Sequence, residues 1–307
     1  MSETLLADSL PTRAGFVALI GASNAGKSTL INRLVGAKVA IVSHKVQTTR
    51  STVRGIVMSD RSQIIFVDTP GIFRPKRRLD RAMVETAWGG ARDADIVALL
   101  IDSARGLGDD ERELIGKLAE IAQPKILILN KVDLIRPDIL LALTKEANDL
   151  LAFDRTFMIS ALTGDRVDDV IAYLAGAVPE GPWLYPEDEI SDLPLRQLAA
   201  EITREKVFER LHQELPYQTT VETETWQEQP DGSARVEQTI YVERDSQKKI
   251  VIGAKGATIK SISMSARKEI SELAEKTVHL FLFVKVRENW ADDPERYRAM
   301  GIEFPRD

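Results

Sequence analysis

The sequence predicts two domains of different class: an α/β domain with a doubly wound, mostly parallel sheet, then a smaller α+β domain. Three observations predict this. Up to about residue 178, short apolar runs alternate with amphipathic helical patterns. A break follows at Val178-Pro179-Glu180-Gly181-Pro182-Trp183-Leu184-Tyr185-Pro186, where three prolines and a glycine exclude a continuing helix. Beyond it the order of patterns becomes α-β-β-α-α-β. A chain of 307 residues is long enough for both domains. The expected division is 1–178 for the first domain, 179–193 for the connection and 194–307 for the second.

In the first domain the strand-like runs are 16–20, 55–58, 63–67, 96–101, 125–129 and 156–159. Several are apolar throughout rather than alternating, as expected when helices cover both faces of a parallel sheet. Helical patterns occupy 29–35, 80–94, 109–121, 137–151 and 167–177. In the second domain a long amphipathic helix is expected over 194–214. Strands follow at 219–227 and 233–243, joined by the hairpin signal Gln229-Pro230-Asp231-Gly232. Next come a short helix at 247–252, the loop Gly253-Ala254-Lys255-Gly256, a second helix to about 276, and a strand at 277–287. There is no internal repeat and no low-complexity stretch.

Composition narrows the chemistry. The chain is 44% hydrophobic and 29% charged, which suits globular domains with apolar cores. It has no cysteine, which excludes disulfides, thiolate metal sites and cysteine nucleophiles. Its three histidines, His44, His212 and His279, are scattered and argue against a histidine metal site. No apolar stretch is long enough to span a bilayer. The opening residues, Met1 to Asp8, lack a basic region and read as a frayed tail rather than a signal peptide.

The net charge of −6 is unevenly distributed. Residues 187–307 hold 18 Lys+Arg against 24 Asp+Glu, whereas the remainder is balanced at 23 of each. Yet Arg244, Lys248, Lys249, Lys255, Lys260, Arg267 and Lys268 face only Asp245, so the window 244–268 carries +6. Screening limits distant charges to about 10 Å, and such a window attracts phosphates even on an acidic domain.

The first domain carries a set of phosphate and base signals. Gly21-Ala22-Ser23-Asn24-Ala25-Gly26-Lys27-Ser28 fits the P-loop pattern between a strand and a helix. Its backbone N–H groups are expected to cup a triphosphate, with Lys27 reaching the β- and γ-phosphates and Ser28 ligating Mg²⁺. Asp68-Thr69-Pro70-Gly71 closes a strand: Asp68 is expected to hold Mg²⁺ through water and the Gly71 N–H to bind the γ-phosphate. Loss of that phosphate would release the loop as a switch. Gln47-Thr48-Thr49-Arg50 offers a threonine to close over Mg²⁺, with Thr49 favoured and Thr48 the alternative.

Asn130-Lys131-Val132-Asp133 directly follows a strand. Asp133 is placed to accept from guanine N1–H and the 2-amino group, Asn130 to reach the base edge, and the Lys131 stem to lie on the purine. Adenine would leave Asp133 unpaired, so GTP and GDP are the expected ligands. Ser160-Ala161-Leu162 follows the last strand, with the Ala161 N–H placed for guanine O6. Ile72 occupies the position where many GTPases carry a water-orienting glutamine, so slow intrinsic hydrolysis is expected.

In the second domain Gly253-Ala254-Lys255-Gly256 lets a nucleic-acid backbone approach where no β-carbon intervenes. Such a loop clamps about four nucleotides of single strand. Lys248, Lys249, Lys255 and Lys260 supply charge, and Ile252 and Ile259 are expected to line an adjacent groove.

These motifs resemble those of the Era family of bacterial GTPases. Asn24 in the P-loop, Thr48-Thr49-Arg50 in the switch, Glu214-Leu215-Pro216-Tyr217, the Val251–Lys260 stretch and Trp290-Ala291-Asp292-Asp293 all match. The resemblance spans about 13–304. It implies a P-loop GTPase domain followed by a type II KH RNA-binding domain. It further implies Mg²⁺, a K⁺ ion near Asn24, and binding to the 3′ end of 16S rRNA in the assembling small (30S) ribosomal subunit. A monomer is implied, cytoplasmic and loosely associated with the inner membrane. Competing readings are a metabolic phosphotransferase, a tRNA-modification GTPase, a translation factor, or an RNA-binding protein with a decayed nucleotide fold. Asn130 and Asp133 count against the first, and the intact Lys27, Ser28, Asp68 and Asp133 against the last.

Overall fold

The computed structural model describes residues 11–43, 45, 48–73, 75 and 77–305. The opening tail, His44 and Gln47 lie outside them. The chain forms two compact units. The first takes the described residues up to Val39 together with Ser51–Arg74 and Met83–Asp192; the second takes Ala40–Arg50, Pro75–Ala82 and Leu193–Asp307.

In the first unit β1 (Arg13–Ile20) runs into α1 (Lys27–Val35), then β2 (Val53–Ser59) and β3 (Ser62–Asp68). After α2 (Arg78–Asp93), which begins in the second unit, come β4 (Ile96–Asp102), α3 (Asp109–Leu118), β5 (Lys125–Asn130), α4 (Pro137–Leu150), β6 (Arg155–Met158) and α5 (Val167–Ala177). The sheet order is β2-β3-β1-β4-β5-β6, parallel except for the β2–β3 pair. Val17 to Ile20 of β1 and Ile126 and Leu127 of β5 are fully buried, because helices cover both faces. The order reverses around β1, and the loops at the carboxyl ends of β1, β3, β5 and β6 carry the motifs. Open α/β sheets bind ligands at that edge.

The proline-rich stretch packs along the first unit. Trp183 Nε1 donates to Arg61 O (3.0 Å), and the backbone N–H groups of Leu184 and Tyr185 donate to Gln63 Oε1. Ile56 N donates to Ile190 O, Gly55 bridges Ser191, and Arg54 pairs with Asp192 at 2.6 Å. These contacts cover the free edge of β2, which would otherwise expose unpaired backbone.

The second unit contains α6 (Leu195–Arg210), β7 (Thr219–Glu228), β8 (Ala234–Val242), α7 (Asp245–Ile252), α8 (Ala257–Leu273), β9 (Val278–Val286) and α9 (Pro294–Ala299). β7 and β8 form the expected hairpin, and β9 joins β8 in parallel. The helix expected over 194–214 stops at Arg210. Leu211 turns extended and is buried with Leu215 in the core, and Leu215–Gln218 forms a 3-10 turn. Ala266 and Ile270 of α8 pack with Ile202 of α6 and with Val236, Val278 and Leu280 of the sheet.

Candidate functional site

The P-loop is shaped by close backbone approaches. A β-carbon on Gly21 would sit 2.5 Å from Leu100 O of β4. Gly26 adopts φ 100°, and a β-carbon there would lie 2.3 Å from Asn130 Nδ2. Glycine is therefore required at Gly26 for conformation and for space. Asn24 also stands in the left-handed region, at φ 66°. Lys27 is 6% exposed, and its ammonium donates to Gly21 O (2.9 Å) and Ala22 O (3.0 Å). Burial pushes its pKa down to about 8, and Asp68 only partly offsets this.

The Asp68-Thr69-Pro70-Gly71 segment lies against this loop. Asp68 ends β3 opposite Leu19 of β1 and Val53 of β2, and it is fully buried. The Ser28 hydroxyl donates to Asp68 Oδ2 at 2.8 Å. Thr69 Oγ1 donates to Leu19 O, and Ile72 N donates to Gly21 O. A β-carbon on Gly71 would fall 2.8 Å from Ser23 Oγ, so the two loops touch. Ser23 Oγ is buried with no hydrogen-bond partner among the described residues. An unsatisfied buried hydroxyl beside a loop of backbone N–H groups fits a phosphate oxygen.

The Ser28 and Asp68 oxygens form a hard donor set that suits Mg²⁺. No group of three or more His, Cys, Asp or Glu able to hold a metal occurs among the described residues. A cation here would thus need phosphate and water to complete its shell, as Mg²⁺ sites commonly do. Ile72 packs against the apolar core of the first unit, so its side chain has no hydrogen-bonding task.

Asn130, expected at the base edge, bonds two loops of the site. Its Nδ2 donates to Ala25 O and its Oδ1 accepts from Ala161 N, both at 2.9 Å. It is buried and ties the P-loop to the 160–162 loop. The Ala161 N–H, expected at guanine O6, is engaged by this bond. Lys131, at φ 63°, donates to Asn24 O (2.9 Å) and pairs with Asp102 Oδ2 (2.6 Å). Val132 packs on the core, whereas Asp133 stands exposed on the 3-10 turn Val132–Leu134. Ser160 is buried, and its hydroxyl accepts from Thr163 N. Arg33 of α1 donates to Ala161 O and Leu162 O.

Asp102 and Arg33 escape a reading of the sequence. Asp102 carries one usable signal, a carboxylate at a strand end; nothing local marks Arg33. Thr48 and Thr49 pack within the second unit, where the Thr48 hydroxyl donates to Lys45 O.

The G-x-x-G loop is the other candidate. Gly253 ends α7 at φ 76°, ψ 173°, and a β-carbon there would lie 2.2 Å from Thr258 Oγ1. Gly256, at φ 78°, precedes α8 with no atom within 4 Å of an added β-carbon. Ala254, Lys255, Lys249 and Lys260 are exposed, and Lys248 is half-buried. Ile252 and Ile259 are half-buried against the core alongside Leu282. Ile250 on α7 and Met264 on α8 are each more than half exposed and add apolar surface that the sequence pattern does not single out.

These features define a P-loop GTPase unit joined to a KH unit. The 50S ribosome-binding GTPase family matches residues 16–131, and the KH domain matches 214–291. The GTPase Era of Rhizobium meliloti (strain 1021) is 68% identical over 300 residues, covering 98% of this chain and 96% of that protein. That of Brucella suis biovar 1 (strain 1330) is 66% identical over 294 residues, covering 96% and 94%. Two crystal structures superpose over 94% of this chain and 99% of theirs. One is Era in complex with MgGDPNP and nucleotides 1506–1542 of 16S ribosomal RNA (37% identity, TM-score 0.89). The other is a single-residue variant of Aquifex aeolicus Era bound to GDP·AlF4⁻ (36% identity, TM-score 0.90). The chain belongs to the GTPase Era family, and its reaction is hydrolysis of GTP.

Proposed function

We propose that the chain is a GTP-operated switch whose KH unit binds the 3′ end of 16S rRNA and assists assembly of the small ribosomal subunit. The observation that carries this reading is the pairing of two sites in one chain. Asn130 draws the base-reading element onto the P-loop, while an open G-x-x-G loop stands among exposed lysines. A relative has been solved with MgGDPNP and 16S rRNA bound together, which supports the reading.

In this scheme Lys27 reaches the β- and γ-phosphates, Ser28, Thr49 and Asp68 hold Mg²⁺, and the Gly71 N–H donates to the γ-phosphate. Mg²⁺, when bound, would neutralise part of the phosphate charge. Water attacks the γ-phosphorus, the bond to the β,γ-bridging oxygen breaks, and GDP and phosphate leave. Asp133 reads guanine. Asn24 would hold K⁺, whose charge would compensate for the missing glutamine at Ile72. Replacing K⁺ by Na⁺ is then expected to slow single-turnover hydrolysis, and equal rates would remove the ion from the scheme.

Lys248, Lys249, Lys255, Lys260 and the loop Gly253–Gly256 hold the RNA backbone, with Ile252 and Ile259 beside the bases. We place the protein in the cytoplasm as a monomer. Any association with the inner membrane is read as peripheral, and no helix among the described residues is long and apolar enough to cross one. The deciding experiment measures binding to an RNA oligonucleotide of the 16S 3′ end. Gly253→Asp with Gly256→Asp is expected to abolish it while GDP affinity stays within about twofold. Undiminished RNA binding would end the KH assignment.

A further inference from the structure

Three motifs carry none of the chemistry above: Arg50 after the switch threonines, Glu214–Tyr217, and Trp290–Asp293. In the second unit they meet on one side chain. Arg50 is 5% exposed. It donates to Thr219 O (2.7 Å) and Tyr217 O (3.1 Å), with Pro216 O at 3.5 Å. Its guanidinium stands 5.4 Å from the Trp290 ring and 5.9 Å from that of Phe208. Trp290 is itself buried, and its Nε1 donates to Gln218 O. A buried guanidinium costs free energy unless its donors are used, and these carbonyls use them.

Val42, Lys45 and Thr48 are gripped by α6 and the residue after it. Val42 N donates to Glu205 Oε1 at 2.7 Å, and Arg204 donates to Thr48 O. Lys45 donates to the carbonyls of Phe208 and Leu211. Glu205 also pairs with Lys206 at 2.8 Å, and Lys206 pairs with Glu269 of α8 at 2.7 Å. α8 is the helix that starts at the G-x-x-G loop. Burial acts to depress the Lys206 pKa, but these carboxylates overcome it and raise the value.

Connectivity gives this packing its meaning. Thr49 adjoins Arg50. Only Ser51 and Thr52 separate Arg50 from Val53, which pairs with Asp68 in the first unit. The segment 75–82, soon after Gly71, likewise belongs to the second unit, where Arg78 stacks on Phe304. The second unit thus holds both Arg50, next to Thr49, and the segment that follows Gly71.

We propose that Arg50 and the Glu205–Lys206–Glu269 chain couple nucleotide state to RNA affinity, by holding Val42, Lys45, Thr48 and Arg50 of the switch segment as a structural part of the KH unit. This rests on the switch reading above. A ligand that moves Thr49 must work against the Arg50 anchor, and RNA that biases α8 must bias the segment in return. Linkage makes the two effects equal: RNA changes nucleotide affinity by the factor by which nucleotide changes RNA affinity, commonly about 5- to 150-fold.

The test measures affinity for the 16S 3′-end oligonucleotide, using the full chain loaded with GDP or with GDPNP. Wild type is expected to show a ratio of about fivefold or more between the two states. Arg50→Lys keeps the cation but loses the planar fork. Glu205→Gln keeps an acceptor for Val42 N but removes the charge facing Lys206. In both variants the ratio is expected to fall to within about twofold of unity, with RNA still bound. A ratio that survives in both variants overturns the proposal, as does a wild type that binds RNA equally in both states. A wild type that binds no RNA overturns the proposed function instead. Hydrogen exchange on the unmutated chain gives a check that needs no variant. Amides of 217–219 are expected to exchange differently with GDP and GDPNP, and identical exchange overturns the anchor.

Discussion

The P-loop and the G-x-x-G loop both set glycine at positive φ beside a lysine, yet their surroundings are opposite. Lys27 is buried and bonded to two loop carbonyls, and Gly26 lies against Asn130. Lys255 is exposed, and Gly256 has open space where a side chain would go. The first loop is braced from behind by β5 and by the 160–162 loop, so its shape exists before a ligand arrives. Such preorganisation favours one small ligand of fixed geometry. The second loop braces only its Gly253 end, against Thr258, and leaves the approach to Gly256 clear. That suits a polymer whose backbone passes through.

The sharpest way to break this contrast is to remove the brace. Asn130→Ala leaves Ala25 O and the Ala161 N–H without their partner. We expect guanine-nucleotide affinity to fall by about 2–3 kcal/mol, roughly a hundredfold, with RNA affinity unchanged. Calorimetry with GDP measures it, and a loss under about threefold would show that the P-loop holds its shape unaided.

A smaller effect separates the two glycines of the RNA loop. Gly256→Ala meets only the left-handed backbone cost, about 1–2 kcal/mol. Gly253→Ala meets a backbone region nearly confined to glycine, about 3 kcal/mol, as well as the Thr258 contact. Urea unfolding of the full chain should therefore rank Gly253→Ala as the more damaging, and equal losses would mean that the Thr258 side is as open as the other.

The smallest effect is a titration. Lys27 sits at about 8 rather than 10.5 because burial disfavours its charged form. A polyphosphate favours the ammonium, so nucleotide binding draws a proton onto Lys27 once the pH passes about 8. The sign follows: proton uptake grows and affinity declines as pH rises from about 7 to about 8.5. Calorimetry in buffers of different ionisation enthalpy measures the uptake. Uptake that does not change over that range would place Lys27 in a more polar environment than its burial indicates.

Much of the fold is legible in the sequence because its signals are local. The continuous apolar runs of β1, β4 and β5 and the proline break match the structure, since burial on both faces and loss of helix leave marks within a few residues. The helix at 194–214 reads too long because apolar periodicity continues through Leu211 and Leu215, whose place in the core is set by strands downstream. The short helix α9 leaves no such mark, as its six residues give little period to detect.

The candidate site divides in the same way. Its proposed chemistry, phosphate at Lys27 and guanine at Asp133, is readable because residue type and spacing alone specify donors and acceptors. What Asn130 and Arg50 do is not. Asn130 bonds residues 105 positions before it and 31 after it, and Arg50 bonds a carbonyl 169 positions away. Residue type and order thus set which ligands the chain is built to recognise and how its elements succeed one another. Folding alone makes Asn130 a brace, buries Lys27 enough to titrate near 8, and packs Val42, Lys45, Thr48 and Arg50 as part of the KH unit. The physical reason is that such roles depend on partners brought close by folding, which no local pattern encodes.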